Sequence, residues 1–220
     1  MTIACILFDC DGTLVDSEML ASRAYQQLFS QFGVELDTQQ VHDRYKGMKV
    51  YDILASLAAT HSVLPSPHEL EPAFRENLTR LMEEELTVID GVEELISSIA
   101  VPIGVVSNGP REKIQHSMRL TGLDRWFGEH LYSAFDYQCW KPDPLLLIKA
   151  CEALNVAPAD TILVDDSVSG VLAGINAGMK VWYFAEIPDP GLARRPEVHV
   201  FTKMSELPDL WRSAGMDVVK

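Results

Sequence analysis

The sequence predicts an α/β fold: a parallel sheet with helices on both faces, interrupted by one all-helical insertion. Three observations carry that prediction. Short apolar, β-branched runs recur along the chain, and each leads into polar residues. Segments with helical patterning separate them. After the first run, about ninety residues pass before the next strand pattern, where a crossover needs only a dozen or more.

The first strand pattern is Ile3 to Phe8, followed by Asp9. The long connection then reads as four helices, Glu18 to Phe32 closed by Gly33, Thr38 to Tyr45, Val50 to Ala59 and His68 to Glu85. Leu20, Ala24 and Leu28 fall at helical spacing and predict a packed stripe. The second strand pattern, Ile103 to Val106, leads into Ser107-Asn108-Gly109, and a helix is expected over Pro110 to Leu120, closing near Gly122. Pro144 to Leu154 fits another helix, with proline in its permitted first turn. Thr161 to Val164 reads as a strand leading into Asp165-Asp166-Ser167, followed by a helix from Ser169 to Ala177 stopped by Gly178. Val181 to Phe184 and Val198 to Phe201 complete the strand set. The expected organisation is a core of residues 1–15 and 87–220, with 16–86 inserted as a helical cap and hinges at Leu14 to Ser17 and Leu86 to Asp90.

Composition narrows the function. The chain has 220 residues, 47% of them hydrophobic, enough for a substantial core. Its net charge of −14, without a basic run, argues against a nucleic-acid partner, because a phosphate backbone calls for clustered Lys and Arg. A small anion needs only a local positive site. No apolar stretch approaches the ~20 residues of a membrane span. The run Ile3 to Phe8 lacks the flanks of a secretory leader. Cys5, Cys10, Cys139 and Cys151 show no C-x-x-C spacing, so they are expected as reduced thiols of a cytoplasmic protein. A monomer or weak oligomer is expected.

In an open α/β sheet, ligands bind at the carboxyl ends of the strands. Asp9, Ser107 and the pair Asp165-Asp166 all fall there. Asp9 and Asp11 stand two residues apart, so in extended chain their carboxylates point the same way. Like charges so close call for a cation, and a hard divalent ion such as Mg²⁺ takes oxygen ligands. Asp165-Asp166 could complete its shell. Gly12 permits a tight turn, and the Thr13 hydroxyl could fix a carboxylate. Ser107 and Asn108 precede a helix, whose free N–H groups favour an anion. Lys141 lies in the stiff segment Trp140-Lys141-Pro142-Asp143-Pro144. Taken singly, each has a plainer reading: Asp165 or Asp166 as a helix cap, Ser107-Asn108-Gly109 as a turn, Lys141 as a solvated surface group. Their order along the chain carries more weight than any one of them.

That order resembles the haloacid dehalogenase superfamily of aspartate-based phosphatases. Asp9-Cys10-Asp11-Gly12-Thr13-Leu14-Val15-Asp16 corresponds to the family's first motif at every fixed position. Ser107-Asn108 corresponds to its second, Lys141 before proline to its third, and Asp165-Asp166-Ser167 with Gly170 to its fourth. The resemblance implies a Rossmann-like core with a mobile helical cap. It implies that Asp9 attacks phosphorus and forms an aspartyl-phosphate. Asp11 would protonate the leaving oxygen and then take a proton from water. Mg²⁺, or another divalent ion such as Mn²⁺ in its place, would be held by the Asp9 side chain, the Asp11 carbonyl, Asp166 and Asp165, with Asp166 ranked first. Ser107, Asn108 and Lys141 would bind the phosphoryl oxygens.

Substrate choice is expected in the cap, whose loop by resemblance faces the active site and here carries Arg44, Lys46 and Lys49. A solvated basic turn is the alternative. Over its whole length the chain is similar to bacterial sugar-phosphate phosphatases, which implies a small phosphate ester such as 6-phosphogluconate. Phosphoglycolate phosphatase, pyrophosphatase and a phosphosugar mutase of the β-phosphoglucomutase type stay open. A dehalogenase is disfavoured because Asp11 is present.

Overall fold

The computed structural model describes residues 3–63 and 65–220. These divide into two compact units, Met1–Val15 with Val88–Lys220, and Asp16–Thr87.

Among the described residues, the first unit is built on six parallel strands: β1 (Cys5–Phe8), β2 (Ile103–Ser107), β3 (Leu131–Ser133), β4 (Thr161–Asp165), β5 (Lys180–Phe184) and β6 (Val198–Phe201). Their order across the sheet is β3-β2-β1-β4-β5-β6. The four residues of β1 and all five of β2 and β4 are buried, as strands covered on both faces must be. On one face Leu7, Val106 and Leu163 pack with Leu146, Leu147 and Ala150. Strand β1 lies between β2 and β4, so the chain reverses its direction of travel across the sheet there. This is the switch point where a crevice opens at the strand ends. The register pairs Phe8 with Val105 on one side and with Val164 on the other. Asp9 therefore emerges level with Asp165 and within a residue of Ser107.

Among the described residues, the second unit holds four helices, α1 (Glu18–Ser30), α2 (Thr38–Tyr45), α3 (Val50–His61) and α4 (Pro67–Glu85). The stripe Leu20, Ala24 and Leu28 is buried in a common cluster with Leu54, Leu57, Leu78 and Leu81. Tyr25 stacks on Phe74 with ring centroids 4.1 Å apart, a pairing worth about 0.5–1.5 kcal/mol beyond the area it buries. The first helix stops short of the expected Phe32. Gln31, Phe32 and Gly33 donate to Leu28, Phe29 and Ser30, a tighter i to i−3 winding that finishes the helix before the left-handed Gly33.

The remaining helices flank the sheet: α5 (Val92–Ser98), α6 (Arg111–Thr121), α7 (Asp124–Phe127), α8 (Ala134–Tyr137), α9 (Leu145–Leu154), α10 (Val168–Asn176) and α11 (Leu207–Ser213). Gly122 ends α6 at φ 69°, where glycine is favoured. The short strand β3 was not anticipated; three residues are too few for a period-2 pattern. Among the described residues, no helix is long and apolar enough to cross a membrane.

Candidate active site

Three strand ends deliver the site. Asp9 follows β1 directly, and its backbone N–H donates to the Val164 carbonyl at 2.9 Å, tying the two central strands together at the crevice. The chain then turns at Gly12, whose φ of 76° suits a residue without Cβ. A Cβ there would also lie 2.5 Å from Asp166 Oδ2, so the turn brings bare backbone against that carboxylate. The turn lets the Thr13 hydroxyl donate to Asp166 Oδ1 at 2.9 Å.

Lys141 is the hub. Its ammonium donates to Asp9 Oδ1 at 2.7 Å, Asp165 Oδ2 at 2.7 Å and the Val106 carbonyl at 3.3 Å. Only 4% of the residue is exposed, so the plainer reading of a solvated lysine fails. Its backbone is clamped by the Asn108 side chain: Lys141 N–H donates to Oδ1 at 2.8 Å, and Nδ2 donates to the Lys141 carbonyl at 3.1 Å. Burial opposes the Lys141 charge, but Asp165 and Asp9 outweigh it and hold the ammonium above its ordinary pKa. Burial pushes the Asp9 carboxyl up, and Asp165 and Asp166 add to that against the counter-pull of Lys141. The carboxylates that press on Asp9 are thus Asp165 and Asp166. Asp11 faces a different cation, with Lys113 Nζ donating to its Oδ1 at 2.5 Å.

Asp165 is fixed at both oxygens. Oδ1 accepts from the Ser167 N–H at 2.9 Å and the Ser167 hydroxyl at 2.7 Å, while Oδ2 takes Lys141. The Ser167 hydroxyl also accepts from Gly170 N–H at 3.0 Å and so caps α10. At β2, the Ser107 hydroxyl accepts from Gly109 N–H at 3.0 Å. The Ser133 hydroxyl donates to the Gly109 carbonyl at 2.7 Å.

Oxygens of Asp9, Asp165 and Asp166, all buried, lie within 4.8 Å of one another. Lys141 pairs with two of these three buried carboxylates, Asp9 and Asp165. A divalent cation bound by oxygen donors fits that set. Lys113, Ser133 and the clamping role of the Asn108 side chain went unread in the sequence. The available signal for Lys113 was its place in the first turn of a helix that follows a strand end.

Residues 6–184 match the family model described as haloacid dehalogenase-like hydrolase. The chain belongs to the haloacid dehalogenase-like hydrolases. It is 45% identical over 216 residues to a 6-phosphogluconate phosphatase of Escherichia coli K12, with 98% of each chain covered. Among solved structures, it is similar to a haloacid dehalogenase-like protein of Agrobacterium tumefaciens, at a TM-score of 0.81 and 29% identity over 97% of this chain and 99% of that one. A haloacid dehalogenase family hydrolase of Deinococcus radiodurans, solved with bound phosphate and sodium, matches at a TM-score of 0.79 and 29% identity, covering 97% and 96% of the two chains.

Proposed function

We propose that this haloacid dehalogenase-like hydrolase is a magnesium-dependent phosphatase of small phosphorylated sugars and sugar acids, with 6-phosphogluconate as its substrate. The observation that carries the reading is the buried cluster of Asp9, Asp165 and Asp166 around Lys141 at the strand ends. The substrate rests on the activity named for the relative that is 45% identical along nearly the whole chain.

Asp9 is the nucleophile. Its bond to phosphorus forms as the bond to the ester oxygen breaks, giving an aspartyl-phosphate. Asp11 gives that oxygen its proton and later takes one from the water that releases phosphate. Lys141, Ser107 and the Asn108 backbone hold the phosphoryl oxygens, a task of placed charge and dipole. Mg²⁺ would be held by Asp9, Asp166, the Asp11 carbonyl and, more remotely, Asp165; when bound it offsets the repulsion between carboxylate and phosphate. Asp165, whose two oxygens are engaged by Ser167 and Lys141, acts chiefly as the anchor of Lys141.

The helical unit is read as the cap that selects among esters, and the support is Arg44, Lys46 and Lys49 in an acidic chain. Lys46 is partly neutralised by Glu18 at 2.9 Å. The four buried free thiols suit a reducing compartment and support a cytoplasmic setting. The test is phosphate release across a panel of sugar phosphates, with and without Mg²⁺. Release from 6-phosphogluconate that depends on Mg²⁺ and vanishes in Asp9→Asn is expected. Interconversion of sugar phosphates without release would favour a mutase, and activity surviving Asp9→Asn would remove the nucleophile.

A further inference from the structure

We propose that Lys113 is a positioning residue that holds the Asp11 carboxylate for its proton transfers, an inference that rests on the phosphatase reading above. Asp11 and Lys113 stand 102 positions apart in sequence and meet at 2.5 Å. The backbone of Asp11 is fixed by the Gly12 turn and a bridge to Val15. Its side chain is 29% exposed, so packing alone leaves the carboxylate room to rotate. The ion pair with Lys113 adds a constraint on that rotation.

Gly109 lies beside the pair. A Cβ on it would lie 3.8 Å from Lys113 Cδ and 4.0 Å from Asp11 Oδ2. Both are ordinary van der Waals separations, so the lysine stem and the carboxylate pass close to Gly109 without depending on its missing Cβ. Gly109 is itself pinned, its N–H to Ser107 and its carbonyl by Ser133. Ser107, Lys113 and Asp11 thus gather around Gly109, beside the strand end proposed to bind phosphate. A part-exposed ion pair adds little to folding, so its removal should appear in the chemistry.

Asp11 is needed wherever an oxygen must gain or lose a proton. In the first half-reaction the Asp9–phosphorus bond forms, the phosphorus–ester oxygen bond breaks, and the proton passes from Asp11 to that oxygen. In the second, water bonds phosphorus, the Asp9–phosphorus bond breaks, and a water proton passes to Asp11. A nitrophenolate leaving group departs without a proton, so the first step on 4-nitrophenyl phosphate bypasses Asp11.

The test compares Lys113→Met on 6-phosphogluconate and on 4-nitrophenyl phosphate with Mg²⁺ present. We expect kcat on both esters to fall about 10²-fold, the scale of a misplaced catalytic group. On the aryl ester, a rapid burst of about one equivalent of nitrophenolate should remain, because the intermediate still forms and then waits. Lys113→Arg, which keeps a cation within reach, should retain most of the turnover. In an Asp11→Asn background, Lys113→Met should add no further loss, as for residues acting as one unit. A burst slowed as much as turnover would mean general damage to the site. A raised KM with unchanged kcat would make Lys113 a substrate contact, and losses that multiply with Asp11→Asn would make it independent; each overturns the proposal. A wild-type protein that releases phosphate from neither ester overturns the phosphatase reading instead.

Discussion

Replacing Gly170 with alanine sets two physical effects against each other. Gly170 lies within α10 and has no left-handed backbone to defend. Helix propensity alone favours alanine there by ~1 kcal/mol. Yet an added Cβ would lie 1.9, 2.0 and 2.2 Å from Oδ2, Cγ and Oδ1 of Asp165. That is about 1.5 Å short of ordinary contact, too much for a rotamer adjustment inside a packed interior. The carboxylate must leave, and it takes with it the bonds to Lys141 and Ser167. Breaking one side of a buried ion pair costs about 3–5 kcal/mol. Lys141 keeps Asp9 as a partner, which places this case near the lower end at ~3 kcal/mol, and overpacking adds ~1–3 kcal/mol. After the propensity gain, the variant should lose about 3–5 kcal/mol. Urea unfolding followed by circular dichroism reads this as a lower midpoint, and turnover should fall with it because Lys141 loses its anchor. A variant that unfolds at an equal or higher urea concentration and keeps its turnover would refute the close packing of Asp165 under Gly170.

Thr13→Val removes the hydroxyl that donates to buried Asp166 and should destabilise by ~1.5–3 kcal/mol in the same unfolding assay. Mg²⁺ should raise the thermal midpoint, with a stabilisation of ~2.7 kcal/mol at a hundredfold excess over Kd; calorimetry should show that rise disappear on chelation and in Asp166→Asn. For His42, burial lowers the pKa, but hydrogen bonds to Asp43 and Glu18 and the Glu18 charge outweigh it, so the folded value lies above the ordinary 6.5. The imidazolium's contribution is then fully present below pH 6.5 and is lost as pH rises through the higher folded value. The urea midpoint should fall across that window in the wild type and fall less in His42→Gln; equal slopes would remove His42 as the cause.

The strands were legible because burial on both faces writes a short unbroken apolar run into the sequence, as in Ile103 to Val106 and Thr161 to Val164. The helices of the second unit were legible from stripes such as Leu20, Ala24 and Leu28. Strand β3 was not, since Leu131–Ser133 offers too few residues for a pattern. The end of α1 was misjudged because Gly33 marks where a chain stops turning, while the change from α to tighter winding three residues earlier depends on hydrogen bonding that residue types do not announce.

By itself the sequence determined where the acids sit, at strand ends and in family order, because both hydrophobic period and motif spacing are local. Only the tertiary structure decided which charge answers which. Asp9 meets Lys141 across 132 positions, Thr13 meets Asp166 across 153, and Asp11 meets Lys113 across 102. Asp9 and Asp11, neighbours in one motif, end with different lysines. Partnerships at such separations are fixed by strand order and register, which bring distant strand ends to one crevice, and no window of sequence contains both partners.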